Sequence, residues 1–180
     1  MKVSYFKSMK KSKHKKKFNT TSFAQTAMLS ALTIVLSFLE GMLPELPVPG
    51  AKLGLANLAV MTATDLNGLG GGLCTTLIKA FFAVITRGPV AGFMSLCGSL
   101  LSMFVMWFFM NYDRKKLGYV GIGVLGAVSH NLGQLIAAFA IIGGSVFFYL
   151  PFLIIVAVFT GTFTGIVNSL LLPAVKKVKV

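Results

Sequence analysis

Five ionisable side chains fall inside or beside long apolar runs of this chain: Glu40, Asp65, Lys79, Arg87 and His130. A charge in hydrocarbon is costly, so each is a candidate functional group. Asp65 and Arg87 lie near the ends of their runs, where a side chain can snorkel to the interface. Glu40 and Lys79 lie deeper. The segment Gly126-Ala127-Val128-Ser129-His130-Asn131-Leu132-Gly133-Gln134 adds a polar patch. At 100° per residue, His130, Asn131 and Gln134 fall within about 100° of one helix face, with Gly123 and Ala127 on the same arc. Such a patch, with clearance beside it, is where a small ligand enters a helical bundle. The alternative is an interhelical hydrogen-bond network with no ligand. Asn57 and Glu40 reach a similar depth. The site expected from these residues is therefore Glu40, Asn57, Lys79, His130, Asn131 and Gln134, opening outward. Lys79 forms its floor, as a counter-ion for Glu40 or as a contact to an anionic ligand.

Other chemistries have no residues to carry them. The sequence has no aspartate-rich diphosphate-magnesium motif, no phosphate loop and no nucleophile elbow. Four acidic residues in 180 leave little for metal-dependent catalysis. His14 sits in a basic tail and His130 stands alone, so no zinc set forms, and Cys74 and Cys97 read as small apolar residues. No enzyme activity, metal or cofactor is expected. The net charge of +13 suggests nucleic acid. Its distribution points instead to a membrane. Eight lysines lie in 1–17, three basic residues in Arg114-Lys115-Lys116, and three more at Lys176, Lys177 and Lys179. Basic clusters flanking apolar runs are the positive-inside signature.

Hydrophobic residues make up 56% of the chain and charged ones 12%, against about 25% charged in soluble domains. The elements that hold the site are thus transmembrane helices, and the fold class is an all-α integral membrane bundle of about six. A basic cytoplasmic tail, 1–19, precedes a transmembrane domain, 20–175, and a short basic tail, 176–180. The spans run over about 21–43, 53–66, 73–85, 90–110, 118–142 and 146–175. The first apolar run is too long for a signal h-region and lacks a cleavage site, so it is a retained span. The second is short for a full crossing. Pro44, Pro47 and Pro49 break the chain after the first span, Asn67 to Gly72 turns it after the second, and Pro151 bends the entry to the sixth. Six crossings put both termini and all three basic clusters in the cytoplasm. Span 1 has two faces. Ala24, Ala27 and Ala31 share one; Thr26, Thr33, Ser37 and Glu40 share nearly the opposite one. Small residues at that spacing admit another helix, so Ala27 and Ala31 are candidate docking positions. Gly161 and Gly165 repeat the pattern in span 6, where internal packing is the simpler reading.

Three stretches carry a family resemblance: Gly50-Ala51-Lys52-Leu53-Gly54-Leu55-Ala56-Asn57, Ser95-Leu96-Cys97-Gly98-Ser99-Leu100-Leu101-Ser102 and Ser129-His130-Asn131-Leu132-Gly133-Gln134. Together they resemble the Gx transporter family, commonly labelled heptaprenyl diphosphate synthase component I, over about Ala24 to Leu172. That family is similar to the substrate-binding (S) components of energy-coupling factor (ECF) transporters. The resemblance implies a six-helix bundle that binds a small micronutrient from outside. It also implies docking on a transmembrane coupling protein with ATPase subunits, through alanines of the first helix. Links to menaquinone synthesis and to flavin-based extracellular electron transfer are implied as well.

Three classes of function follow: a transporter substrate-binding subunit, a non-catalytic membrane partner of prenyl diphosphate or quinone synthesis, and a membrane anchor for electron transfer. The expected partners are a small-molecule substrate, a coupling protein and the lipid bilayer, with no nucleic acid. The topology is testable with single cysteines at Ser12, Lys115 and Ser145 in a background lacking Cys74 and Cys97. An impermeant thiol reagent on intact cells should label the Ser145 position alone; labelling at Lys115 overturns the topology.

Overall fold

Long apolar helices dominate the computed structural model, which describes residues 20–42 and 54–177. The basic tail, the proline-rich stretch and Lys52 lie outside the described residues. Five helices follow in order: α1 (Thr20–Gly41), α2 (Asn57–Arg87), α3 (Pro89–Tyr112), α4 (Arg114–Ile142) and α5 (Leu150–Lys177). A short 3-10 turn, Gly144–Tyr149, leads into α5. It brings Pro151 into the first turn of α5, where its missing N–H costs nothing. Five helices are long and apolar enough to cross a membrane. Large apolar side chains such as Phe81, Phe159 and Leu170 point outward. Water would not tolerate that much exposed apolar surface, whereas lipid solvates it. The chain is an all-α, multi-pass membrane protein.

The expected second and third spans are two arms of α2. Gly68 interrupts the helix with φ 66° and ψ −156°. This region of backbone space is open to glycine and costs other residues about 1–3 kcal/mol. The break reverses the chain. Lys79 Nζ lies 2.7 Å from Asn57 Oδ1, although a straight helix would part these residues by about 33 Å. Gly72 likewise faces Thr64 so closely that a Cβ there would lie 2.5 Å from Thr64 Oγ1. Both pairs are centred on Gly68. The short arm, 57–67, rises only about 16 Å, half of a hydrocarbon core about 30 Å thick. The expectation of six separate spans is therefore corrected: five helices, of which one is a hairpin with a half-length arm. Gly88, Gly118 and Gly143 adopt similar positive-φ backbones at other helix breaks.

The Gly68 turn is tied down at one face of the bundle. Asn67 Nδ2 donates to the Ser22 carbonyl at 3.2 Å and to Thr26 Oγ1 at 3.0 Å, near the amino end of α1. Asp65 receives both arms of the Arg114 guanidinium, at 2.6 and 3.3 Å. Tyr119 lies 4.7 Å beneath the same guanidinium and donates its hydroxyl to Asp65 at 3.4 Å. Asp65 does not snorkel, as its place near a span end suggested; it is buried and locks the hairpin to the α3–α4 junction. We call this the basic face, and the opposite end, with Gly88 and Gly143, the far face.

Helices α4 and α5 run antiparallel with almost no space between their backbones. Gly123 abuts Gly161 and Gly165, and a Cβ at Gly123 would lie 2.9 Å from the Gly165 nitrogen. The small-residue pattern of the last helix is thus internal packing. Helix α1 packs against α2 and no other helix among the described residues. The buried side chains of α1 are all polar: Thr26, Ser30, Thr33, Ser37 and Glu40.

Replacing Gly68 with alanine tests the hairpin. In a straight helix alanine would stabilise, since glycine costs about 1 kcal/mol more there. At a reversal it should destabilise by about 1–3 kcal/mol. Thermal unfolding in detergent distinguishes the two signs.

Candidate functional site

Two apolar clusters fill the bundle at different depths. Met94, Leu135, Ala138 and Leu153 pack toward the far face; Val60, Met61, Met103, Met106 and Ile122 pack toward the basic face. A polar layer lies between them. On α3, Ser95, Ser99 and Ser102 fall between Met94 and Met103, all buried. On α4, His130 and Gln134 fall between Ile122 and Leu135 and are buried too. Spacings of three and four residues put the serines on one helix face. That face looks inward.

Gly54 joins three elements in this layer. Its N–H donates to the Glu40 carboxylate, and its carbonyl accepts the Asn57 N–H at 2.9 Å, starting α2. Its Cα sits against Asn57 and His130: a Cβ there would lie 3.1 Å from Asn57 Nδ2 and 3.4 Å from His130 Cδ2. With φ at +82°, glycine is also the residue the backbone requires. Gly54 thereby draws α1, the short arm of α2 and α4 to one point.

Lys79 rises from the long arm of α2 into the same layer and is 3% exposed. Its ammonium donates to Asn57 Oδ1 at 2.7 Å and to Ser99 Oγ at 2.9 Å. Glu40 is within electrostatic reach of both Lys79 and Arg87. Gly98 completes the layer by letting α3 approach α4. A Cβ there would lie 2.8 Å from Gln134 Cγ and 2.9 Å from His130 Nδ1.

Five of the six expected site residues thus meet: Glu40, Asn57, Lys79, His130 and Gln134. Asn131 does not join them. Its Nδ2 donates to the Leu153 carbonyl at 2.8 Å, so it fastens α4 to α5. A single residue step along a helix turns a side chain by 100°, and that step carries Asn131 from the site to the neighbouring helix. Ala27 and Ala31 lie exposed on α1, on the side away from its polar, buried face.

Sequence reasoning missed Gly54, Gly98, Ser95 and Ser99 as site residues, although all four lie in the motifs quoted above. Their signal was present as glycine and serine at helical spacing, but nothing in a sequence says which way a small residue faces. Asn168, which joins α5 to the short arm of α2 rather than to this layer, was missed as well. It is fully buried in α5 and receives the Thr62 hydroxyl at 2.6 Å. A lone asparagine in a run of apolar residues was the available sign.

Several buried polar atoms in and beside this layer have no partner among the described residues: Asn57 Nδ2, Thr76 Oγ1, Ser95 Oγ, Ser102 Oγ, His130 Nδ1 and Gln134 Oε1. An unpaired buried polar group costs about 1–3 kcal/mol. Native bundles rarely keep so many close together unless something else completes their bonds. Chemically the layer can hold a small polar molecule by hydrogen bonds and one cation. Among the described residues no group of three metal-ligating side chains exists.

Two substitutions on α4 should therefore part ways. Asn131→Leu removes an interhelical bond and should cost roughly 0.5–1.5 kcal/mol of stability. Gln134→Leu removes a group whose oxygen has no protein partner and should cost little or nothing. Melting both variants in the same detergent checks the order.

A family model described as heptaprenyl diphosphate synthase component I matches residues 29–171. The chain belongs to that family. No curated protein and no solved structure matches it.

Proposed function

We propose that this member of the heptaprenyl diphosphate synthase component I family is a membrane substrate-binding subunit. It captures a small micronutrient or related molecule from outside the cell, in the manner of the S component of an ECF-type transporter. The observation that supports this reading is the polar layer between two apolar clusters. Lys79, Asn57, His130 and Gln134 come together there from the two arms of α2 and from α4, and several of their polar atoms lack protein partners. A purely structural network tends toward full satisfaction. A binding site keeps bonds open for its ligand.

The basic face lies in the cytoplasm and the far face outside, because basic residues favour the cytoplasmic side. Ligand then enters from the far face. The exposed alanines of α1 dock a transmembrane coupling protein that carries ATPase subunits, while the polar face of the same helix covers the site.

The family description favours a second reading, a non-catalytic membrane component of prenyl diphosphate or menaquinone synthesis; a link to flavin-based electron transfer stands beside it. Catalysis by this chain alone is disfavoured because its sequence has no aspartate-rich motif to hold a magnesium diphosphate. Native mass spectrometry of gently purified protein separates these readings. A co-purified small polar molecule is expected, bound by the wild type and lost from Gln134→Leu. A co-purified polyprenyl lipid, unaffected by that change, would favour the second reading. Magnesium-dependent chain elongation of isopentenyl diphosphate by the isolated protein would overturn the non-catalytic assignment.

A further inference from the structure

Lys79 is a buried cation whose two direct hydrogen-bond partners, Asn57 and Ser99, are both neutral. A buried charge ordinarily requires a counter-ion in contact, because desolvation costs several kcal/mol per ion. No ion pair forms at Lys79 among the described residues; the ion pairs Asp65–Arg114 and Asp113–Lys116 lie at the basic face. Several amide and hydroxyl donors on the same helices are buried and open. Asn57 Nδ2 has no partner, and neither do the hydroxyls of Thr76, one turn before Lys79, and Ser95, one turn before Ser99. Ser99 accepts from Lys79, so its own proton is free to donate. An ammonium, an amide NH2 and hydroxyls gathered in a buried layer form an anion cradle.

The charge balance sets the valence of the anion. Lys79 brings one positive charge, and its direct hydrogen-bond partners are both neutral. A single carboxylate matches that one charge, whereas a phosphate dianion leaves surplus negative charge inside the bilayer. Gln134 Oε1 is the unpartnered acceptor on the facing helix, and it asks for an N–H or O–H on the same ligand. We infer that the molecule bound in this layer is a small monocarboxylate that also carries a hydrogen-bond donor, with its carboxylate on Lys79, Asn57 and Ser99. This inference rests on the substrate-binding reading and names the class of substrate.

The test is thermal unfolding of the full chain in detergent, at constant ionic strength, with sodium acetate, sodium benzoate, benzamide or inorganic phosphate. Both carboxylates should raise the melting temperature at millimolar concentration, and benzamide, the neutral counterpart of benzoate, should not. Lys79→Met should abolish the shift. Without any additive it should also melt a few degrees above wild type, because an apolar side chain removes a buried charge whose direct hydrogen-bond partners are neutral. Ser99→Ala should keep the fold and need about tenfold more benzoate for the same shift, which supplies the answer if Lys79→Met does not fold. The inference is overturned if neither carboxylate shifts the wild type, if benzamide matches benzoate, or if phosphate outperforms both carboxylates. It is also overturned if Ser99→Ala responds like wild type, or if Lys79→Met folds and keeps the shift. A preference for benzamide overturns this inference and leaves a substrate-binding subunit standing. An absence of all shifts together with an empty native mass spectrum removes both.

Discussion

The reversal of α2 at Gly68 is the constraint on which the rest of the bundle depends. An uninterrupted helix from Asn57 to Arg87 would hold Lys79 about 33 Å from Asn57; the hairpin puts them in hydrogen-bond contact. The reversal requires a backbone conformation that glycine alone enters without strain. It also requires an anchor, because a half-length arm has few apolar contacts of its own. Asp65 supplies that anchor through Arg114 and Tyr119, and Asn67 through the amino end of α1. Asp65 and Arg114 at the basic face therefore serve the geometry of the polar layer at the opposite end of the arm.

Polar groups do two kinds of work in this bundle. Asn168 bonds Thr62 and backbone carbonyls, Asn131 bonds the Leu153 carbonyl, and Asp65 bonds Arg114. These groups join helices and leave their donors used. In the layer around Lys79, by contrast, amide and hydroxyl groups are buried but open. The cost of leaving them open is tolerable because α4 and α5 are held independently, by glycine-mediated backbone contact along Gly123, Gly161 and Gly165. Close packing there, with apolar clusters above and below, carries stability that the polar layer does not need to supply.

Helix α1 occupies a different position in this economy of contacts. Among the described residues it packs against no helix but α2, buries only polar side chains and leaves its alanines bare. Its far end is joined to the site through Glu40 and the Gly54 N–H. A helix held by a polar seam rather than by interlocking apolar side chains is the element of the bundle that a partner on its outer face can most readily influence.

By itself the sequence determined that this is a membrane protein, where the helices lie and which polar residues they carry. Apolar run length and basic clustering are local, one-dimensional signals, and the bilayer makes them decisive because it leaves helices few alternatives. The two faces of α1 were legible for the same reason, since helical period is a property of the segment alone. The family was legible in three short motifs. The tertiary structure decided the pairing across segments. Only it turned two expected spans into one hairpin, since a sequence shows a glycine-rich turn but not the positive φ that closes it. It also divided His130, Asn131 and Gln134, adjacent on one arc, between the site and a neighbouring helix. Which part of an arc meets which neighbour depends on the order of helices around the bundle, and that order is set by glycine contacts and an ion pair between residues tens of positions apart.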